Sequence, residues 1–333
     1  MKFRAFRVSE QLNEEGQSYF ETAIQLCETD DLPAGEVLIK VAYSSLNFKD
    51  ALSASGNKGV TRTYPHTPGI DAAGVVAASD SPLFAVGDEV IVTGYDLGMN
   101  TAGGLGEYIR VPAQWCVRRP EALTLKESMI WGTAGITAAL SVNKLLQRGL
   151  TPDKGEVLVT GASGGVGSVA VALLAKLGFS VVAVSGKAEA GDYCSALGAS
   201  RVVRRDAIAE SNKPLLKEQW AAAIDCVGGE ALGSVIKQLK AGGVVTTCGL
   251  TAGTNFNATV FPFILRGVEL LGIDSVEIPI ELKSEMWSKI AGEWRISWPD
   301  TAVTEVSLDE VAPYLDAILA GQQYGRVIVV HKK

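Results

Sequence analysis

The stretch Glu156-Val-Leu-Val-Thr-Gly-Ala-Ser-Gly-Gly-Val-Gly167 runs from an apolar strand into a glycine-rich turn, and continues as the helical pattern Ser168-Val-Ala-Val-Ala-Leu-Leu-Ala-Lys-Leu177. Strand, turn and helix in that order aim backbone N–H groups and an open helix N-terminus at one point, which suits a pyrophosphate. In the spacing of a dinucleotide fingerprint, Ala162 takes the first glycine position, Gly164 the second and Gly167 the third. Gly164 lets the backbone approach a phosphate, and Gly167 lets the helix pack closely on the strand. A glycine-rich turn can also be a plain turn, so the context matters. Apolar runs recur at Val181–Val184, Ala221–Val227 and Gly243–Cys248, each separated from the next by a helix-length segment. That alternation predicts an α/β fold with a doubly wound parallel sheet of the Rossmann kind.

The end of the second strand selects the nucleotide. A site for NAD places an Asp or Glu there, about 20 residues past the glycines, to bind the ribose 2′-hydroxyl. This chain reads Val184-Ser-Gly-Lys187, with no carboxylate until Glu189. Ser185 can hydrogen-bond a phosphate, Gly186 clears space and Lys187 brings a positive charge. Arg204 and Arg205, after the short apolar stretch Val202-Val203, can add a second cation. An Asp would repel the 2′-phosphate of NADP, so its absence carries as much weight as the lysine. The alternative is that Lys187 and the arginines are ordinary surface charges. NADP(H) is the expected cofactor.

Composition bounds the rest. A chain of 333 residues suggests two domains, and 47% apolar with 20% charged residues is ordinary for a globular protein. A net charge of −7 argues against nucleic-acid and polybasic membrane partners. Met1-Lys-Phe-Arg-Ala-Phe-Arg-Val-Ser-Glu10 lacks the apolar centre of a signal peptide, and no apolar run reaches the ~18 residues that span a bilayer; the expected location is cytoplasmic. The five cysteines (Cys27, Cys116, Cys194, Cys226 and Cys248) are scattered without C-x-x-C spacing, which supports neither a disulfide framework nor a zinc knuckle. Cys226 and Cys248 lie in apolar runs and read as small buried residues. With two histidines, His66 and His331, no metal is expected.

The first ~128 residues differ from the middle. Short strand-like runs at Val37–Tyr43, Gly74–Ala78, Asp88–Thr93 and Leu105–Val111 alternate with Gly, Pro, Asn and Asp turns, predicting a mostly antiparallel, barrel-like β domain. From Trp131 the pattern is helical through Ile136–Leu146 and enters the first parallel strand. The parallel region closes with a sixth strand at Val268–Asp274. Helices at Glu281–Ala291 and Leu308–Ala320 and a strand at Arg326–Val330 return the chain to the β domain. The expected division is a β-rich domain over 1–129 and 276–333 and a nucleotide domain over 130–275.

Leu46-Asn-Phe-Lys-Asp50, Pro68-Gly-Ile-Asp-Ala-Ala-Gly74, Gly87-Asp-Glu-Val90, Gly103-Gly-Leu-Gly-Glu-Tyr108 and Gly161–Gly167 follow one another as in the medium-chain dehydrogenase/reductases. The chain resembles this family over essentially its whole length, which implies a GroES-like β domain beside the Rossmann domain. Within the family it resembles the zinc-independent quinone-oxidoreductase branch, and most closely the bacterial acrylyl-CoA reductases. These share Gly132-Thr-Ala-Gly-Ile-Thr137, Ala183-Val-Ser-Gly-Lys187, Ala223-Ile-Asp225 and Pro262-Phe-Ile-Leu-Arg266. The zinc-dependent members use a Cys near Asn47 and a His-Glu pair at Ile70-Asp71, and a four-cysteine loop where Gly94 to Cys116 holds one cysteine. The resemblance therefore implies hydride transfer without a metal.

The resemblance also assigns residues. Tyr43 faces the cofactor cleft; Ser163, Gly164, Gly165 and Val166 hold the pyrophosphate; Ser185, Gly186, Lys187 and Arg205 surround the 2′-phosphate; Leu250, Ile264 and Ser275 line the nicotinamide half, although apolar residues at strand ends are also plain packing. Asn47, Lys49 and Asp50 cluster where zinc ligands would lie. Asn47 is a candidate oxyanion donor and Asp50 a proton relay, or else a cap on a helix starting at Ala51. Tyr43 is a candidate acid or a cofactor contact, and Lys49 a substrate contact or a solvated cation. For a CoA thioester, Lys58, Arg62 and Arg326 are candidate phosphate contacts or ordinary surface charges. The expected reaction is NADPH-dependent reduction of an activated C=C bond, acrylyl-CoA to propanoyl-CoA first. A quinone reductase and a non-enzymatic NADPH-binding redox sensor or structural protein are the alternatives. The sixth strand is apolar and lies at a sheet edge, where pairing with a second copy would give a homodimer.

Overall fold

The computed structural model describes residues 1–187, 189–208 and 212–331. The chain divides into two compact units: Met1–Thr133, Val276–Gly292 and the stretch from Val303 onward form one, Ala134–Ser275 and Glu293–Ala302 the other. The expected division differs at two places. Residues 130–133 go with the first unit because Thr133 is bonded to Asp71, its hydroxyl at 2.6 Å. The segment 293–302 goes with the second, where Ile296, Ser297 and Pro299 share a small pocket with Ala172, Ala175 and Leu197.

The second unit is the α/β domain. Its six parallel strands are Val157–Val159, Val181–Val184, Arg201–Val203, Trp220–Asp225, Leu239–Thr247 and Glu269–Gly272. They lie side by side in the order third, second, first, fourth, fifth, sixth. The order reverses between the first and fourth strands, which is where such sheets open a crevice at their carboxyl ends. Central strands are covered on both faces and so read as unbroken apolar runs: Val157, Leu158, Val159 and Ala222, Ala223, Ile224 have no exposed surface. The helix Gly165–Lys176 follows the first strand. It packs closely because Gly167 has no Cβ; one built there would lie 2.2 Å from the Gly161 carbonyl oxygen.

The first unit is β-rich. A seven-stranded sheet has the path Val303–Ser307, Arg326–Val330, Val37–Ser45, Asp71–Ser79, Glu89–Thr93, Cys116–Arg118, with Tyr108–Val111 also on Val37–Ser45. All its pairings are antiparallel except Val303–Ser307 with Arg326–Val330, which are parallel and joined through the helix Val311–Leu319. Val37, Ile39, Val41, Val90, Val92 and Ile109 form the core under this sheet. A separate ribbon pairs Lys2–Leu12 with Ser18–Glu28. Its second strand is mostly exposed, so it lacks the strong apolar alternation by which sequence reading finds strands. The helix expected from Ala51 begins at Phe48, with Asn47 as its N-cap.

Candidate functional site

In the α/β unit the turn after the first strand is tied to the end of the second. Ser163 and Ser185, both buried, place their hydroxyl oxygens 2.9 Å apart. The Lys187 amide donates to the Ser185 hydroxyl at 3.2 Å. Arg205 folds over Gly186, where a Cβ would lie 2.2 Å from the guanidinium Nε. Five residues from three segments thus meet at one strand end. Burial, with the Arg205 charge beside it, lowers the Lys187 ammonium to about 8 against a pull upward from Cys194. Two cations that disfavour one another at the tip of a nucleotide-binding strand fit a phosphate, whose charge relieves both.

Asp225, which closes the fourth strand, organises the carboxyl edge beside them. Wholly buried, it accepts from Thr160 Oγ1 at 2.8 Å, Gly228 N at 2.9 Å and Thr247 Oγ1 at 2.9 Å. It thereby joins the ends of the first, fourth and fifth strands. In the sequence Asp225 stands out only within the shared motif Ala223-Ile-Asp225; its signal is a lone carboxylate ending an apolar run. Ser275 is buried and accepts from Thr137 Oγ1 at 2.8 Å. Leu250 and Ile264 are exposed.

In the β-rich unit, Asn47 and Asp50 join a buried polar cluster. Asp71 accepts from Ser45 Oγ at 2.5 Å, Asn47 Nδ2 at 2.8 Å, Thr133 Oγ1 at 2.6 Å and Thr133 N at 2.9 Å. The Arg326 guanidinium, 2% exposed, lies 3.9 Å from it and donates to Ser45 Oγ at 2.8 Å, Ile130 O at 2.8 Å and, more weakly, Asn47 Oδ1 at 3.5 Å. Gly132 permits this convergence. Its φ is 52° and a Cβ would lie 2.4 Å from Asp71 Oδ2 and 2.6 Å from Ser45 Oγ. Asp50, also wholly buried, accepts from Asn47 N and Ile70 N, each at 2.8 Å. Burial first, and then the Asp71 charge, raises Asp50 from 3.8 to about 7.

These contacts revise several expectations. Arg326 is not a rim cation for a phosphate: it is the buried counter-charge of Asp71. Lys58 is committed to Glu10 at 2.6 Å and sits 4.7 Å from the Tyr64 ring centre. The amide nitrogen of Asn47 is already engaged by Asp71 and by Ser45 O at 3.3 Å, so it is not poised as an oxyanion donor. Asp50 is in the capping box of the helix Phe48–Ala54, and has no surface from which to meet a substrate directly. Tyr43 and Lys49 are half-buried and Arg62 is exposed. At the positions where zinc-dependent relatives hold metal, an engaged amide, the alkyl side chain of Ile70 and a carboxylate with several donors make a poor zinc ligand set.

The alcohol dehydrogenase GroES-like domain family matches residues 33–121, and the zinc-binding dehydrogenase family matches 165–292. The Bacillus subtilis protein YhfP, which carries a quinone-oxidoreductase name, is 50% identical over 92% of this chain and 93% of its own length. The acrylyl-CoA reductase AcuI of Ruegeria pomeroyi is 44% identical over 93% of this chain and 94% of its own. The solved structure of the yhdH oxidoreductase of Salmonella enterica in complex with NADP matches with a TM-score of 0.93 and 44% identity, covering 100% of both chains.

Proposed function

The chain belongs to the medium-chain dehydrogenase/reductase family, and on that premise we propose that it is an NADPH-dependent reductase of an activated C=C bond, acting on acrylyl-CoA to give propanoyl-CoA. The observation that carries the cofactor is the meeting of Ser163, Ser185, Gly186, Lys187 and Arg205 at one strand end without an Asp or Glu at the second strand's tip. The relatives that bear an acrylyl-CoA reductase name support the substrate. NADPH supplies the hydride; the protein supplies binding, orientation and a shielded site.

Ser163 through Val166 hold the pyrophosphate at the start of the helix Gly165–Lys176, and Ser185, Lys187 and Arg205 hold the 2′-phosphate. Leu250, Ile264 and Ser275 lie on the nicotinamide side. In the β-rich unit Tyr43 is the candidate that touches cofactor or substrate, while Asn47 and Asp50 act by positioning the start of their helix through the Asp71–Arg326 cluster. Lys49 and Arg62 remain the candidate contacts for a CoA phosphate.

Steady-state rates with NADPH test the reading. Acrylyl-CoA should show a higher kcat/KM than simple benzoquinones; the reverse ranking favours quinone reduction, the reading that the YhfP similarity supports. Tight NADPH binding without turnover of any activated alkene or quinone supports a sensor or structural protein.

The protein is a homodimer in this proposal, paired along the sixth strand, Glu269–Gly272. Exposed Val260, Phe261 and Leu265, at the start of and within the helix Phe261–Arg266 just before it, support a covered face. Leu265→Glu should yield a monomer by sedimentation. Five free cysteines support a reducing, cytoplasmic setting. No helix among the described residues is long and apolar enough to cross a membrane.

A further inference from the structure

The carboxyl edge of the parallel sheet carries two thiols that the nucleotide site leaves unused. Expected as small buried residues, both are only half-buried: Cys226 is the first residue past the fourth strand and Cys248 the first past the fifth. The strands pair with Asp225 opposite Thr247, so the cysteines are next in register, and the Cys248 amide donates to Asp225 O at 3.0 Å. Neighbouring strands run ~4.8 Å apart, inside the Cα separation of ~4.4–6.8 Å that a disulfide spans. Cys248 Sγ lies 3.9 Å from the Cys226 sulfur and 3.5 Å from Asp225 O, and its single hydrogen can donate to either.

We infer that Cys226 and Cys248 form a paired-thiol site for a hydroperoxide, which closes it to a disulfide and thereby weakens nucleotide binding. One thiolate attacks the outer peroxide oxygen and the O–O bond breaks, leaving a sulfenic acid and an oxyanion that takes up the proton the thiol gave up and departs as the alcohol, or as water where the peroxide is hydrogen peroxide; the second thiol then displaces the hydroxyl as water and the S–S bond is made. The two sulfurs lose two electrons in all, and the peroxide gains them.

Closing the sulfurs from 3.9 Å to ~2.05 Å takes the Cys248 thiol off Asp225 O and draws on the two loops that bear the cysteines. Little slack exists there, since a Cβ on Gly249 would lie 1.9 Å from Cys226 O. Asp225 also pins both loops, through Gly228 N at 2.9 Å and Thr247 Oγ1 at 2.9 Å. The displacement therefore passes into 226–229 and 248–253, which are joined by the bridge between Gly228 and Gly253 and include Leu250 on the proposed nicotinamide side. The same crowding keeps the pair reduced at rest. The Cys248 contact, and then burial, hold the Cys226 thiol well above its ordinary range, so thiolate is scarce at neutral pH and oxidation accelerates as pH rises. The effect on affinity rests on the proposed nucleotide site, whereas the disulfide does not.

The test treats the reduced protein with hydrogen peroxide, maps peptides under non-reducing conditions, and titrates NADPH by fluorescence before and after. A Cys226–Cys248 crosslink should appear, with a roughly tenfold or larger rise in the NADPH Kd, on the scale of lost hydrogen bonds, reversed by dithiothreitol. Cys226→Ser and Cys248→Ala should each keep their Kd through the same treatment. Sulfenic or sulfinic acid at either cysteine without a crosslink overturns the paired site, and a crosslink with an unchanged Kd overturns its effect on binding. A reduced protein that crosslinks on oxidation yet never bound NADPH overturns the nucleotide reading, and with it the coupling, but not the dithiol.

Discussion

Arg326→Gln removes the counter-charge of a carboxylate that has no exposed surface. In the folded protein Arg326 is 2% exposed, donates to Ile130 O and Ser45 Oγ at 2.8 Å, and lies 3.9 Å from Asp71 Oδ2. Taking one partner from a buried ion pair costs about 3–5 kcal/mol, most of it the desolvation of the charge left behind. Two features hold this case to the lower part of that range. Asp71 keeps its donors from Ser45, Asn47 and Thr133, and the ion pair acts partly through the Ser45 hydroxyl. The carbonyl of Ile130 also loses its guanidinium partner, at about 1–3 kcal/mol for an unsatisfied buried acceptor, part of which the glutamine amide can recover. A net loss of about 3–4 kcal/mol follows, within the total of about 5–15 kcal/mol that folded proteins possess. Equilibrium urea unfolding of the wild type, Arg326→Gln, Asp71→Asn and the double variant measures it. Since both residues serve one network, the second substitution should cost far less in the presence of the first, with a coupling of about 1–3 kcal/mol. A single-variant loss below about 1 kcal/mol, or strictly additive losses, would refute the assignment of Arg326 as a buried counter-charge.

Lys187→Ala should raise the NADPH Kd roughly 10- to 100-fold, the scale of one charge-assisted hydrogen bond, and leave NADH binding nearly unchanged; equal effects on both nucleotides would remove the 2′-phosphate role. In the wild type, NADPH affinity should fall as pH rises through about 8, where Lys187 loses its proton. Asp50 titrates in the opposite sense to a salt-bridged carboxylate. Its folded value near 7 exceeds the ordinary 3.8, so its contribution is complete below the unfolded value and is lost as pH climbs to about 7. By linkage the change amounts to about 4 kcal/mol at most. The stability difference between wild type and Asp50→Asn should shrink over that window and stay level above it, and a difference independent of pH would contradict the raised value.

The turn and strand end proposed to hold the nucleotide are legible in the sequence because their geometry is local. The proposed anion cradle is backbone, made by contiguous residues from Thr160 to Gly167, and the strand end Val184 to Lys187 shows its charge in four letters. The alternation of apolar runs with helix-length segments likewise carries the parallel sheet, whose buried strands leave the sequence no room for polar residues. The positions of Arg326, Asp50 and Asn47 were not legible. An arginine near a strand start reads as exposed, because arginines usually are. Only the register of Arg326–Val330 on Val37–Ser45, and the kink at Gly132, bring it onto Ser45 and Asp71.

By itself, then, the sequence determined the α/β class, the family and the glycine-rich turn between strand and helix, since each depends on neighbours along the chain or on apolar period. The tertiary structure decided which charges are buried, that Asn47 is spent on Asp71, and that Cys226 and Cys248 face one another. Those depend on contacts between residues 22 to 281 positions apart, whose desolvation is set by what folds over them rather than by what precedes them.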